Sequence, residues 1–296
     1  MLLSKILPER WLNKRAEYAF FLGWGYSIIS IIIAALVFPK DPSLVAIAFT
    51  SILLLPELRK LFELKEGELA VEKRFSIRRL YGQNKGLLKI YFFLSLGIFL
   101  VYSTAAIVLP SFQVNSLFET QLAVRGITGG AAGGASGAAA SSAADFPIML
   151  FWSIFANNWL VLLACFLISL FTEEGGIFMI TWNLSVWGTI FGVTARNAAF
   201  AMGSNPLFLF MIIMAIVAPH AILEIFSYIL GSISGGMITK GFRKEGFGSN
   251  KFRTLLYYNI FLLFIAINVL IAAGLIEAFV LGNSGLYREI IAMSYL

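Results

Sequence analysis

Leu207–Gly236 reads LFLFMIIMAIVAPHAILEIFSYILGSISGG. The run is longer than the roughly 20 apolar residues that a bilayer-crossing helix requires, and His220 and Glu224 stand near its middle. A stretch of this kind is a membrane span with a polar interruption, and the rest of the chain repeats the pattern. Further apolar segments run at about Ala19–Phe38, Leu44–Leu55, Leu87–Leu109, Ile148–Phe171, Gly176–Val193 and Leu255–Leu281. Of the 296 residues, 59% are apolar and 13% charged, against roughly 45–50% and about 25% in soluble domains. At roughly 20 residues per crossing this composition allows about eight spans. The fold class is therefore all-α: a polytopic helical membrane bundle of about seven transmembrane helices.

Charge orients the spans. The net +6 reports loop placement in a membrane chain before it reports any nucleic-acid partner, and none is expected. With the N-terminus cytoplasmic and all seven segments crossing, 18 of the 22 Lys+Arg fall inside. They are Lys5, Arg10, Lys14 and Arg15, nine between Arg59 and Lys89, and Lys240, Arg243, Lys244, Lys251 and Arg253. Only Lys40, Arg125, Arg196 and Arg288 fall outside. The segment Leu44–Leu55 is short, about 18 Å as a helix, but it must cross for this split to hold. We read it as a tilted or locally thinned span bounded by Pro42 and Pro56. The C-terminus is then external, and no cleavable signal is expected at the N-terminus.

The expected organisation is a cytoplasmic segment 1–18, three spans over 19–109 with a basic interfacial helix at 57–86, an external loop 110–147 and a four-span core over 148–296. The interfacial helix mixes Leu58, Leu61, Phe62, Leu69, Phe75 and Leu80 with Lys73, Arg74, Arg78 and Arg79, as a connector lying along anionic headgroups would. The external loop contains the Gly/Ala/Ser tract 129–140, too poor in buriable surface to fold alone.

Polar groups at hydrocarbon depth either join helices or mark a functional path. His220 and Glu224 share a helix face at i, i+4, and the face continues through Ser227, Gly231 and Ser234 or Gly235. Pro219 leaves the carbonyl of Ala215 without its helix donor and is expected to kink the helix there. Two readings of His220 with Glu224 stay open: a proton relay or substrate counter-group, and interhelical hydrogen bonding. Asn157, Asn158, Asn183 and Asn268, near the centres of their spans, read as interhelical hydrogen-bonding groups. Gly188 and Gly192 form a small-xxx-small packing step. Glu277 lies nearer the outer interface, as a secondary candidate.

Enzyme motifs fail. Gly134-Ala135-Ser136-Gly137 matches a rhomboid-type G-x-S-G string but lies in the low-complexity tract outside the spans. Gly231–Gly235 has Ile233 where a nucleophile elbow needs serine. There is no H-E-x-x-H and no Walker A sequence. With one histidine and one cysteine, Cys165, neither a metal site, a cofactor nor a disulfide is expected.

The run Ala218-Pro219-His220-Ala221-Ile222-Leu223-Glu224, followed by Gly231 and Gly235-Gly236, resembles the signature of the stage II sporulation protein M family of bacterial and archaeal membrane proteins. Asn157-Asn158, Gly175-Gly176, Asn183 and Ile276-Glu277-Ala278-Phe279 follow in the matching order. The resemblance covers about 146–280, and Ala221 stands where the family usually has glycine. It implies a non-enzymatic, multi-pass protein of the cytoplasmic membrane that organises or recruits membrane and envelope partners during remodelling. Self-association is open. The alternative is a transporter or channel with a proton-coupled or hydrated path lined by His220 and Glu224.

Overall fold

The computed structural model describes residues 15–66, 77–124 and 146–295. Its helices are α1 (Tyr18–Val37), α2 (Pro42–Glu66), α3 (Ile77–Val108), α4 (Ser111–Leu117), α5 (Ile148–Thr172), α6 (Gly176–Met202), α7 (Pro206–Glu245), α8 (Asn250–Asn283) and α9 (Gly285–Met293). No strand occurs among the described residues. Among the described residues six helices are long and apolar enough to cross a membrane: α1, the Asn84–Val108 part of α3, and α5 to α8, with mean hydropathy from 1.4 to 2.5. The chain is a multi-pass helical membrane bundle.

The seventh segment, Leu44–Leu55, is also helical, but it is the first half of α2 and is not one of those six. Pro56 lies inside this helix and does not end it. Its ring is on the exposed side, so the cost is one hydrogen bond, to the carbonyl of Ile52. Ser43, Ile47, Thr50, Leu54, Leu58 and Leu61 are all buried, at helical spacing. The packed stripe thus passes straight through the proline. Of the interfacial helix expected at 57–86, residues 57–66 continue α2 and residues 77–86 open α3, while 67–76 lie outside the described residues. The N-terminal residues up to 14 and the Gly/Ala/Ser tract also lie outside them.

Residues 110–124, expected as the start of a loop, fold back as α4 and a helical stretch at 119–124. Val114 and Phe118 are fully buried, the Phe118 ring 5.4 Å from that of Tyr102. Ser43 Oγ and Thr120 Oγ1 are 2.9 Å apart, Gln121 Nε2 donates to Ser185 Oγ at 3.4 Å, and Arg196 Nη1 donates to the Leu109 carbonyl at 2.9 Å. The first two bonds tie the segment to α2 and α6, and the third ties α6 to the residue that follows α3.

The helix α7 is the hub, packing along α8, α5 and α6 and touching α3. On the other side, α3 lies along both α1 and α6. One continuous apolar core therefore joins Leu22, Tyr26, Leu94 and Tyr102 of the N-terminal helices to Ile177, Tyr228 and Leu262 of the C-terminal ones. The cluster is continuous because α6 buries one face against α3. A second cluster, with Ala198, Phe210 and Ile213, seats α9 through Tyr287 and Ile290.

Candidate functional site

Small residues set how closely the helices approach. A Cβ on Gly188 would stand 2.8 Å from the Phe99 carbonyl oxygen of α3, and one on Gly192 would stand 2.7 Å from that of Ser103. On α7, a Cβ at Gly231 would meet Leu162 Cδ1 at 2.5 Å, and one at Gly235 would stand 3.0 Å from the Leu170 backbone nitrogen of α5. Only glycine allows backbone contact this close. Hydroxyl groups then bond across the seams: Ser227 Oγ donates to the Ala266 carbonyl at 2.8 Å, Ser234 Oγ to that of Asn259 at 2.7 Å, and Ser169 and Ser232 share a 2.9 Å bond. Thr239 Oγ1 also reaches the Leu170 carbonyl.

These bonds fix the register. Ser227 against Ala266 and Ser234 against Asn259 are seven residues apart on both helices, in opposite directions, so α7 and α8 run antiparallel. One more step of seven sets His220 opposite Ala273, a fully buried small residue. Glu224 and Glu277 each lie four residues past that level, and helical side chains lean back toward their own N-termini. The two carboxyl groups thus converge and lie within hydrogen-bonding reach of each other. Glu277, the secondary candidate in the sequence, is the direct partner of Glu224. Glu224 is 4% exposed and sits near the middle of α7, between Pro206 and Glu245.

A hydrogen bond between two carboxyl groups requires a proton on one of them. Glu224 Oε1 and Glu277 Oε2 are buried and find no N–H or O–H donor around them. Asn158 of α5 lies beside Glu224, and Asn157 Nδ2 donates to Asn158 Oδ1 at 3.3 Å. A chain of polar groups therefore runs from the outer face of α5 through Asn157, Asn158 and Glu224 to Glu277. His220 is buried with Nδ1 unpartnered, and Tyr228, fully buried, leaves its hydroxyl unpartnered four residues past Glu224. The arrangement can hold and pass a proton between carboxyl groups. His220 and Glu224 are both buried on α7, as their shared face requires, and the inter-helix register adds Glu277 of α8 beside Glu224.

The other asparagines behave differently from expectation. Asn183 Nδ2 donates to its own helix at the Met179 carbonyl, 2.9 Å, and Asn268 Nδ2 to the Phe264 carbonyl, 2.7 Å. Neither bond joins two helices. Of the four, Asn158 alone is buried, beside Glu224 of α7, while Asn157 and Asn268 are exposed on the outside of the bundle. Tyr228 was missed by sequence reasoning, although its i, i+4 spacing from Glu224 could have flagged it.

At the basic end of α7 a second polar group forms in the turn between α5 and α6. Glu173 takes φ 62° as the C-cap of α5, where glycine is usual, and accepts a 2.7 Å bond from Arg243 Nη1. Glu174 is 6% exposed. Burial raises its pKa above the ordinary glutamate value, while the charges of Arg59 and Lys240 oppose that rise. A carboxyl with a raised folded pKa adds stability below its unfolded pKa and loses it as pH climbs through the folded one. Glu174→Gln should therefore flatten the pH dependence, with the variant gaining on the wild type above the ordinary glutamate range. Thermal unfolding in detergent across a pH series measures this, and identical wild-type and variant profiles would refute it.

No curated protein and no solved structure matches the chain. The sequence profile described as stage II sporulation protein M matches residues 88–280. That is well over half of the sequence and begins one span earlier than the motifs alone indicate, in α3, the helix that α6 packs against. Since the matched stretch takes in α3 and every helix that brings Glu224, Glu277 and Asn158 together, the chain belongs to the stage II sporulation protein M family.

Proposed function

We propose that the protein is a non-enzymatic scaffold of the cytoplasmic membrane that organises or recruits partner proteins for envelope or membrane remodelling. Support comes from the interlocked interior. Glycine contacts with facing backbone close the α3–α6 and α5–α7 seams, and serine hydroxyls lock α7 to α8. Seams closed this way resist the sliding that alternating access requires, whereas a platform that positions other proteins benefits from rigidity. The test is purification from native membranes at native abundance, with quantitative mass spectrometry. Companions at fixed stoichiometry, retained through mild detergent, are the expected result. A chain that purifies alone and moves solute when reconstituted would overturn the reading.

A second reading is favoured by one observation, the buried carboxyl pair with unpartnered polar atoms around it. In it the protein is a transporter or channel whose proton path uses Glu224, Glu277 and His220. Liposomes loaded with a pH-sensitive dye separate the two readings. Equal proton leak for wild type and Glu224→Gln removes the second; a leak abolished by Glu224→Gln supports it at the expense of the first.

A further inference from the structure

We infer that the outer face of α5 and α8 is an interface between two copies of this chain, joined at mid-depth through Asn157 and Asn268. Asn157 lies within three residues of the middle of α5, and Asn268 within two of the middle of α8. Both are exposed. Their depths agree by packing as well as by count. Gly274 of α8 faces the side chains of Phe151 and Ile154 of α5. Asn268 is six residues back from Gly274, and Asn157 three to six residues on from that contact in the same direction.

Each amide has spent part of its bonding capacity within the chain. Asn157 donates once, to Asn158 Oδ1 at 3.3 Å, and Asn268 once, to the Phe264 carbonyl at 2.7 Å. An asparagine side chain carries two N–H donors and an acceptor oxygen. Each residue therefore keeps a donor and an acceptor facing outward at a depth where acyl chains offer neither and water does not reach.

What satisfies a donor and an acceptor together is another donor and acceptor at the same depth. A second copy in the same orientation presents the same amides at the same depth, and a two-fold axis along the membrane normal sets each donor against the other's acceptor. The surroundings allow the approach: Ser153 and Ala156, exposed beside Asn157, are small enough for two helices to come close. Trp152 and Leu160, 57% and 65% exposed, flank the patch with apolar surface. This inference concerns the lipid-facing surface and does not rest on the scaffold reading.

The test is cross-linking of the full chain reconstituted in liposomes. The one cysteine, Cys165, is buried, and a Cys165→Ala background carries single Ser153→Cys, Ala156→Cys or Ile32→Cys changes. Ile32 is 52% exposed on α1 and serves as the control face. Dimers at Ser153→Cys and Ala156→Cys, persisting on lipid dilution that abolishes the Ile32→Cys product, are expected. Asn157→Leu with Asn268→Leu should lower the dimer fraction roughly three- to tenfold. Because the cysteine-free background could fold poorly, resonance energy transfer between fluorescent fusions of the otherwise unaltered chain provides the second readout, with the same dilution series. Equal products on both faces, no dimer by either method, or a dimer indifferent to the asparagine changes would overturn the inference. Adducts of another mass in native membranes, without a dimer in liposomes, would assign the face to a different partner and overturn it equally.

Discussion

Gly97→Ala should cost the bundle about 3 kcal/mol or more, and Gly82→Ala, in the same helix, should raise stability by up to about 1 kcal/mol. A Cβ at Gly97 would lie 2.8 Å from the Trp24 backbone nitrogen of α1 and closer still to the Phe20 carbonyl oxygen. Both are backbone atoms, so no rotamer change relieves the clash and the two helices must separate along their length. Gly82 meets nothing within 4 Å, so there the methyl group only removes the conformational freedom that glycine brings to the unfolded chain. Unfolding in mixed micelles as the fraction of denaturing detergent rises gives both free energies. Similar effects at the two positions would show that close approach of α1 and α3 is not what holds the N-terminal helices.

The carboxyl pair should be strongly coupled. Glu224→Met and Glu277→Met each leave the remaining carboxyl buried without its partner, at a cost of about 1–3 kcal/mol. The double substitution removes both polar groups together and should cost less than the sum of the singles by about 1 kcal/mol or more. Glu224→Gln should cost less than Glu224→Met, because the amide can still donate to Glu277. The same micelle unfolding assay applied to the four proteins closes the cycle. Strict additivity would mean that the two side chains do not share a hydrogen bond. The cycle separates pairing from proton movement: stability reads the bond, and the liposome assay reads flux.

Much of the bundle was legible in the sequence because hydrophobicity is a local property. The seven apolar segments are all helical, and six meet the length and hydropathy of a span. The segment Leu44–Leu55 is harder to read because its apolar run stops at Pro56 while its buried stripe continues through Leu58 and Leu61. That stripe is set by what α2 packs against, which the residues of α2 do not state. The small helix at Ser111–Leu117 is invisible in the sequence for the same reason: a few apolar residues between polar ones become helix and core when α2 packs against the helix and the Tyr102 ring of α3 meets Phe118 just beyond it.

The site divided along the same line. The Pro219, His220, Glu224 motif and its tail of serine and glycine could be read directly, since one helix carries them at spacings of three and four. Glu277 is harder to read, because distance along its own helix places it away from the centre of the span. The antiparallel register of α7 and α8, set by Ser227 on Ala266 and Ser234 on Asn259, together with the backward lean of helical side chains, brought it to Glu224. Asn157 and Asn158, adjacent in the sequence and alike in chemistry, were separated by about 100° of helix rotation, one toward Glu224 and the other outward. By itself the sequence determined that the chain crosses a membrane as helices, and which few polar residues would have to be accommodated there, because both follow from transfer of local segments out of water. Only the tertiary structure decided which of those residues meet, because register and rotation between helices are settled by contacts between distant parts of the chain.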